Sequence, residues 1–328
     1  MTGKSTDIVV VLRPDGAHPP TLAEKLGDAA RFHFVRSLDE VAEEAHQAPV
    51  GLLWNFRSRL FADHLDLFPK LEWVHVSASG VDALASDAVR RRGLTVTNAT
   101  GVTAVGMAEY TFALLLAAVK RFGPMVRAQV EKRWETRETP MVDGKTMVLV
   151  GVGAVGQALA PRAAAFGIRV IGVGRMPRGA YQGFERIVGV DALDDALGEA
   201  DFLVLAAPAT RETAGLLDRE RIRRLKPEAI VVNVGRGVLL DESALAEALA
   251  SGSIAGAALD VFAVEPLPSE SPLWELENVL VSPHIAGDPT DWQVAMVDRF
   301  VENFRRWQVG EELISVVDLE LGYAPPTR

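Results

Sequence analysis

Short apolar runs alternate with segments of helical spacing along the whole chain, a pattern that predicts repeated βα units and parallel sheets. Two sets of such runs are present. The first set is DIVVVLR (7–13), FHFVRS (32–37), GLLWNF (51–56), LEWVHVS (71–77) and LTVTNA (94–99). The second set is MVLVGVG (147–153), IRVIGVG (168–174), DFLVLAAP (201–208), AIVVNVG (229–235), IAGAALDVF (254–262) and NVLVSPH (278–284). Their near-continuous Val, Leu, Ile and Ala content is typical of strands buried on both faces.

The two sets predict an α/β protein with two domains, each built on a doubly wound parallel sheet. Between the sets, residues 103–122 are apolar almost all round, which favours a buried packing helix over an amphipathic membrane segment. A last helical segment, residues 291–307, precedes the tail. Ligands of open α/β sheets bind beyond the carboxyl ends of the strands, so we expect the chemistry in the loops after these strands.

Composition and charge narrow the class of protein. The 328 residues contain no apolar run of the roughly 20 residues that span a bilayer. There is no cysteine, and the six histidines lack metal-ligand spacing, so we expect neither a disulfide nor a metal site. The net charge of −10 argues against nucleic acid or an anionic membrane as a partner. The N-terminal residues lack the layout of a signal peptide, which favours a cytoplasmic enzyme or binding protein.

The segment GVGAVG follows a predicted strand and opens a predicted helix, as a dinucleotide-binding turn does. Of its three glycines, Gly151, Gly153 and Gly156, one permits the tight turn, one lets the backbone approach a pyrophosphate, and one lets helix and strand pack closely. Free N–H groups at the helix N-terminus, at Ala154 and Val155, favour the phosphates. The alternative is an ordinary glycine-rich tight turn, which does not require a strand before it and a helix after it. The predicted strand and helix therefore favour the dinucleotide-binding turn.

About twenty residues further on, dinucleotide-binding proteins that use NAD place a carboxylate for the ribose 2′-hydroxyl. This chain instead has Arg175 and Arg178, and no carboxylate until Glu185. Guanidinium groups make charge-assisted bonds to a 2′-phosphate, which a carboxylate would repel. The pair therefore predicts NADP(H) as coenzyme, with two solvated loop arginines as the alternative. NADPH is kept largely reduced in cells, so this choice favours a reductase.

Three further loops carry groups that suit hydride transfer to a carbonyl. Arg236 in NVGRG could bind a substrate carboxylate and polarise the adjacent carbonyl. His284 in SPHIAG could pass a proton to or from the carbonyl oxygen, and Glu265 in DVFAVEP could orient the imidazole and stabilise its charged form. Taken singly, Arg236 could cap a turn, Glu265 could belong to a Glu-Pro loop, and His284 could be structural. Their order after a dinucleotide turn favours the catalytic interpretation.

The motifs GVGAVG, LAAPAT (205–210), VVNVGRG, ALDVFAVEP and SPHIAG together resemble those of the D-isomer-specific 2-hydroxyacid dehydrogenases. The resemblance implies a Rossmann-type coenzyme domain, residues 100–287, inserted into a flavodoxin-like substrate domain, residues 1–99 and 288–328. It implies that Arg236, Glu265 and His284 are catalytic and that the enzyme is a homodimer. It also implies that Asp260 meets the nicotinamide carboxamide and that SGVD (79–82) binds the carboxylate through backbone N–H groups. The preference for D-isomers comes from the family alone.

The resemblance completes two sets of expected ligand contacts. The coenzyme set is Gly151, Gly153, Ala154, Val155, Gly156, Arg175, Arg178, Ala207, Pro208, Thr213, Val234, Asp260, His284 and Gly287. The substrate set is Asn55, Ser79, Gly80, Arg236, His284 and Trp292. Trp54, Phe56 and Trp292 could shape the pocket wall or simply pack in the core. Trp134 could lie at a dimer interface.

Within the family, GRMPR resembles the corresponding segment of NADPH-dependent glyoxylate and hydroxypyruvate reductases. The phosphoglycerate dehydrogenase branch usually keeps the acid, and we expect this chain to lack the regulatory extension often found there. The expected reaction is hydride transfer from NADPH to a small 2-keto acid, giving a D-2-hydroxy acid. Two alternatives are an NAD-dependent dehydrogenase working in the oxidative direction and a coenzyme-sensing regulatory protein of the same fold. Ser79, where the family usually has alanine, and DPTDW after SPHIAG leave the keto acid open.

Overall fold

The computed structural model describes residues 5–325, and two compact units account for them. The outer ends of the predicted substrate domain, residues 1–4 and 326–328, lie outside the described residues, as does the start of the segment compared with a signal peptide. The first unit runs up to Val102 and resumes at Thr290; the second is Thr103–Pro289. Within the described part of the chain, no helix is long and apolar enough to cross a membrane.

The first unit is built on a five-stranded parallel sheet in the order β2-β1-β3-β4-β5. Its strands are β1 (Thr6–Val11), β2 (Ala30–Val35), β3 (Val50–Leu53), β4 (Trp73–Val76) and β5 (Thr95–Asn98). Its helices are α1 (Leu22–Leu26), α2 (Leu60–Asp63), α3 (Asp87–Arg92) and α10 (Trp292–Val309). This is the strand order of flavodoxin-like folds, so the predicted class of the substrate domain is confirmed.

The second unit is built on a seven-stranded parallel sheet in the order β12-β11-β10-β9-β6-β7-β8. Its strands are β6 (Thr146–Val150), β7 (Arg169–Val173), β8 (Arg186–Val188), β9 (Phe202–Leu205), β10 (Ile230–Asn233), β11 (Gly256–Leu259) and β12 (Val279–Val281). Its helices are α4 (Ala104–Val119), α5 (Phe122–Val130), α6 (Ala154–Ala165), α7 (Leu193–Glu199), α8 (Arg219–Ile222) and α9 (Glu242–Ala250). The order is that of a Rossmann-type fold, as predicted.

Hydrophobic burial explains why these segments form strands. Every residue of β6, β9, β10 and β11 is buried, because helices cover both faces of a parallel sheet. The short strand β8 was missed, since only Ile187 of its three residues is buried and the strand gives no apolar run. The predicted helix over 103–122 is α4, which ends at Val119; α5 follows after Arg121, whose φ is 53°.

The chain passes from the first unit to the second between Val102 and Thr103 and returns between Pro289 and Thr290. Both positions lie a few residues beyond the boundaries expected from the sequence. Arg299 Nη1 donates to the Thr100 carbonyl at 3.2 Å, which ties that segment to α10 in the first unit. Pro289 lies against Gly106 of α4, in the second unit. Small polar residues in these connections carry no signal that could have shown which sheet they join. The functional division of the chain stays a prediction.

Candidate active site

The glycine-rich turn joins β6 to α6 where the strand order of the larger sheet reverses, between β6 and β9. Gly151 has φ 109°, and a Cβ built on it would lie 2.7 Å from the Ala206 carbonyl group. A Cβ on Gly156 would lie 2.2 Å from the Gly151 oxygen, whereas Gly153 faces open space. A side chain at Gly151 or Gly156 would therefore collide with neighbouring backbone atoms. At Gly153, beside the N-terminus of α6, the backbone is open to a ligand. This cradle fits a dinucleotide pyrophosphate.

The loop after β7, residues 174–178, carries both arginines of the predicted NADP(H) site and is called the selector loop. Arg175 and Arg178 are both exposed. Arg178 is held by backbone bonds with Ile187, and its guanidinium carbon lies 4.3 Å from the centre of the Tyr181 ring. Glu185, the first carboxylate after the strand, bonds to Arg169 at 2.8 and 3.0 Å and to Arg186 at 2.9 Å. The hydrogen bond from Arg169 lowers the pKa of Glu185 below its usual value. Glu185 is therefore engaged with arginines of the sheet edge.

The backbone after β9 completes the wall facing the glycine turn. Ala207 is buried, and its N atom would lie 2.8 Å from a Cβ on Gly151. Thr213 donates its hydroxyl to the Pro208 carbonyl at 2.6 Å, which closes the loop after the strand. Val234, just beyond β10, donates its N–H to the Leu205 carbonyl at 3.0 Å. Four expected coenzyme contacts thus lie on two loops that are bonded to the strands.

Arg236 lies in the loop after β10, and the buried Asn233 fixes that loop. Asn233 Nδ2 donates to the Arg236 carbonyl at 3.0 Å, and its Oδ1 accepts from the Gly235 N–H at 3.1 Å. Arg236 Nη1 donates to the Gly235 carbonyl at 2.8 Å, and the side chain is half-buried. The asparagine of NVGRG is a site residue that sequence reasoning missed; an amide directly after a buried strand was the signal.

His284 and Glu265 form a close pair. Nδ1 of His284 lies 2.6 Å from Oε2 of Glu265, whose Oε1 accepts from the Phe262 N–H at 3.2 Å. A carboxylate only accepts, so this contact places a proton on Nδ1, and Nε2 lies on the opposite side of the ring from Glu265. The histidine side chain is 32% exposed, which leaves it within reach of a substrate. With φ 57°, its backbone lies in the left-handed region, an uncommon conformation that surrounding contacts must hold.

Those contacts come from Asp260, whose carboxylate is 1% exposed. Oδ1 accepts from the Ile285 N–H and Oδ2 from the Ala286 N–H, each at 3.0 Å. The Ser282 hydroxyl donates to Oδ1 at 2.5 Å and lies 2.8 Å from the Tyr110 hydroxyl on α4. Asp260 thus holds the backbone after His284 and the Ser282 side chain before it. Its expected contact with the nicotinamide stays a prediction, and neither Tyr110 nor Ser282 stood out in the sequence.

In the first unit the expected substrate loop follows β4, and a buried amide holds it as well. Asn98 Nδ2 donates to the Ser79 carbonyl at 2.6 Å, while Ser79 is exposed and Gly80 half-buried. Asn55 follows β3 and bonds through its backbone N–H to the Val11 carbonyl at 2.8 Å. Trp292, the first residue of α10, stacks on Trp54 with ring centres 6.3 Å apart. Among residues 5–325, no three potential ligand side chains are placed to hold a metal ion.

Comparisons with known proteins agree with this geometry. Residues 112–286 match the family described as D-isomer specific 2-hydroxyacid dehydrogenase, NAD binding domain. A glyoxylate reductase of Korarchaeum cryptofilum is 37% identical over 79% of this chain and 80% of its own length. A D-3-phosphoglycerate dehydrogenase of Mycobacterium leprae is 36% identical over 96% of this chain, which spans 60% of that protein.

Among solved structures, the NADPH-dependent glyoxylate/hydroxypyruvate reductase of Sinorhizobium meliloti, in complex with NADP and malonate, superposes with a TM-score of 0.83. It is 28% identical, and the match covers 98% of this chain and 99% of that one. The similarity therefore extends over both units.

Proposed function

Since the chain belongs to the D-isomer-specific 2-hydroxyacid dehydrogenase family, we propose that it reduces a small 2-keto acid to the D-2-hydroxy acid with NADPH. The single observation that carries the chemistry is the His284–Glu265 pair, 2.6 Å apart, with the imidazole partly open to ligands. A histidine so oriented suits proton transfer at a carbonyl oxygen. Hydride transfer to the carbonyl carbon is the chemistry that the bound coenzyme supplies.

The protein residues provide the proton and the charge stabilisation. With Nδ1 bonded to Glu265, the protonated imidazole donates from Nε2 to the oxygen that becomes the hydroxyl. Glu265 stabilises the positive charge that His284 carries before transfer and keeps the ring oriented after it. Arg236, in a loop fixed by Asn233, binds the substrate carboxylate and polarises the neighbouring carbonyl. The resemblance to the family also implies that backbone N–H groups at Ser79 and Gly80 contact the substrate carboxylate.

The selector loop supports NADPH as the coenzyme. Arg175 and Arg178 supply positive charge after β7, and the nearest following acid, Glu185, is engaged with Arg169 and Arg186. A 2′-phosphate gains charge-assisted hydrogen bonds from guanidinium groups. The structural relative from Sinorhizobium meliloti is described as NADPH-dependent and contains NADP. The chosen coenzyme in turn favours the reductive direction.

Steady-state rates test this proposal. A panel of glyoxylate, hydroxypyruvate and pyruvate, each with NADPH and with NADH, should show turnover with a clear preference for NADPH. Replacing both Arg175 and Arg178 by Gln should raise the KM for NADPH roughly 10- to 100-fold, since each bond to a charged group contributes about 1.5–3 kcal/mol. The KM for NADH should change little. Arg223→Gln, at an exposed arginine directly after α8, is the control. Equal effects on both coenzymes would refute the selector role.

A second candidate is the oxidative, NAD-dependent reaction of a D-3-phosphoglycerate dehydrogenase. The 36% identity to the Mycobacterium leprae enzyme favours it. This candidate predicts faster turnover of D-3-phosphoglycerate with NAD than of any keto acid with NADPH. The same panel, run in both directions, decides between the two.

We further propose that two copies of the chain associate through one apolar surface of the second unit. Six large apolar side chains stand exposed on α5 and in residues 131–141: Phe122, Met125, Val126, Val130, Trp134 and Met141. Trp134 is 96% exposed, which is costly for a residue of that size unless a partner covers it. Trp134→Glu combined with Val130→Glu should shift the sedimentation coefficient from dimer to monomer, whereas Val309→Glu on α10 should not. A wild-type monomer would refute the dimer.

A further inference from the structure

Arg13 stands at the switch point of the five-stranded sheet. The chain leaves β1 for β2 on one side and continues to β3 on the other, so the loops after β1 and β3 diverge. Open α/β sheets bind ligands where the strand order reverses in this way. Arg13 lies two residues after the end of β1, and Trp54 directly follows β3. The position therefore favours a ligand contact.

The Arg13 guanidinium lies against two indole rings. Its central carbon is 5.4 Å from the ring centre of Trp54 and 4.8 Å from that of Trp292. The two indoles are nearly parallel, with 14° between their planes. Cation–π contacts of this kind hold the cation in place but use none of its N–H donors. These contacts therefore hold the guanidinium at the carboxyl edge of the sheet without using its N–H groups as hydrogen-bond donors.

Two buried donors at this place lack an acceptor. Arg13 Nε and Trp54 Nε1 have no hydrogen-bond partner among residues 5–325. Within the same part of the chain, no carboxylate lies within ion-pair distance of Arg13, Asp291 before α10 included. A buried donor without an acceptor is costly, and both groups can only donate. The complementary ligand is therefore an anion that brings oxygen atoms.

The strand register gives the distance to the expected carboxylate site. Val11, the last residue of β1, pairs with Leu53, and Leu53 pairs with Val76, the last residue of β4. Adjacent strands are about 4.8 Å apart, so the ends of β1 and β4 lie roughly 10 Å apart, and Arg13 and Ser79 follow those ends by two and three residues. The Arg13 side chain reaches the ring of Trp54, which follows β3, the strand between β1 and β4, and this shortens the gap. A short carbon chain with an acid group at each end can reach both places.

We propose that Arg13 binds a second anionic group of the substrate, at the end remote from the keto acid. The preferred substrates are then dianionic 2-keto acids that carry a distal carboxylate or phosphate. This inference rests on the proposed function for its kinetic readout, and on the first unit alone for its geometry. It assigns Arg13 a role in specificity, not in the chemical step.

Matched substrates test it. Wild-type kcat/KM should be at least tenfold higher for 2-oxoglutarate than for 2-oxopentanoate, or for 3-phosphohydroxypyruvate than for hydroxypyruvate; the two pairs distinguish carboxylate from phosphate. Arg13→Gln should lower kcat/KM roughly 10- to 100-fold for the dianionic acid of that pair, the size of a lost bond to a charged group. It should leave glyoxylate within about threefold. Arg13→Lys should recover part of the loss, because it keeps the charge but not the planar fork.

Arg59→Gln, at an exposed arginine paired with Asp63, is the matched control and should change nothing. A wild-type enzyme without preference in either pair, or an Arg13→Gln variant that loses the monoanionic and dianionic acids equally, would overturn the proposal. A binding measurement separates this failure from failure of the proposed function. Succinate and phosphate should quench indole fluorescence of the wild type more strongly than that of Arg13→Gln, even if no keto acid is turned over. Identical quenching of both would also overturn it.

Discussion

The two sheets differ in how the polar side chains near their strands are satisfied. In the second unit Glu265 meets His284, Asp260 holds the backbone after it, and Asn233 holds the Arg236 loop. By contrast, every buried side-chain N or O atom that lacks a partner among residues 5–325 belongs to the first unit. Those residues are Arg13, Trp54, His75, Ser77 and Arg306.

The difference indicates that the two units prepare for their ligands in different ways. In the second unit each reactive group is fixed by a neighbour, which keeps the reorganisation needed for proton transfer small. In the first unit, the Arg13 and Trp54 side chains carry buried N–H donors that have no acceptor among residues 5–325. Substitutions in the second unit should therefore change the rate of the chemical step, whereas substitutions in the first should change which acid is bound or how stable the unit is.

The largest effect is expected at His284. His284→Ala removes the proton donor, and general acid–base catalysis by one residue typically contributes about 10²- to 10⁴-fold. We expect kcat with the preferred keto acid to fall by that factor, measured from coenzyme oxidation under saturating conditions. The Kd for NADPH, from fluorescence titration, should stay within a few-fold, because the glycine turn and the selector loop are intact.

His64→Ala, at an exposed histidine of the first unit, provides the control and should leave kcat unchanged. If His284→Ala retained more than about a tenth of wild-type turnover, proton donation would have to come from another group. The fixed groups of the second unit would then not account for the rate of the chemical step.

The candidate site residues of the second unit were easier to find in the sequence than Arg13 of the first unit, for a physical reason. Gly151, Arg236 and His284 stand in short motifs at the ends of predicted strands, so residue type and spacing along the chain mark them as candidates. The supporting contacts span long sequence separations. Tyr110 and Ser282 are 172 residues apart, and Arg13 meets Trp292 only after the chain returns to the first unit. The pattern of residues along the chain does not indicate such long-range contacts.

Burial of His75 should make the first unit sensitive to acid. The side chain on β4 is fully buried, and desolvation lowers its pKa from 6.5 to about 3, with a smaller effect from Arg299. Between these values the unfolded chain binds a proton that the folded chain rejects. This contribution to stability is therefore complete above pH 6.5 and decreases as the pH falls, by about 1.4 kcal/mol per pH unit.

Amide hydrogen exchange measured at increasing urea concentrations can locate the effect of His75 in the fold. The free energy protecting β4 amides should fall between pH 7 and pH 5 by about 2 kcal/mol, and that of β10 amides should fall much less. His75→Gln removes the titrating group, so it should flatten the pH dependence of β4 even if it lowers its stability at neutral pH. An unchanged slope in that variant would assign the acid sensitivity to other groups.

The smallest effect is expected at the far end of the brace that holds His284. Ser282 donates its proton to Asp260, so the Tyr110 hydroxyl must be the donor in its contact with Ser282. Tyr110→Phe removes that one bond, worth about 1 kcal/mol, while the two backbone bonds to Asp260 remain. We expect kcat to fall roughly two- to tenfold with the KM for NADPH unchanged, and exchange of the Ile285 and Ala286 amides to accelerate by a similar factor. Ser282→Thr keeps the hydroxyl and should behave like the wild type. Normal amide exchange in Tyr110→Phe would show that Asp260 holds the loop without help from α4, and a loss of turnover would then need another cause.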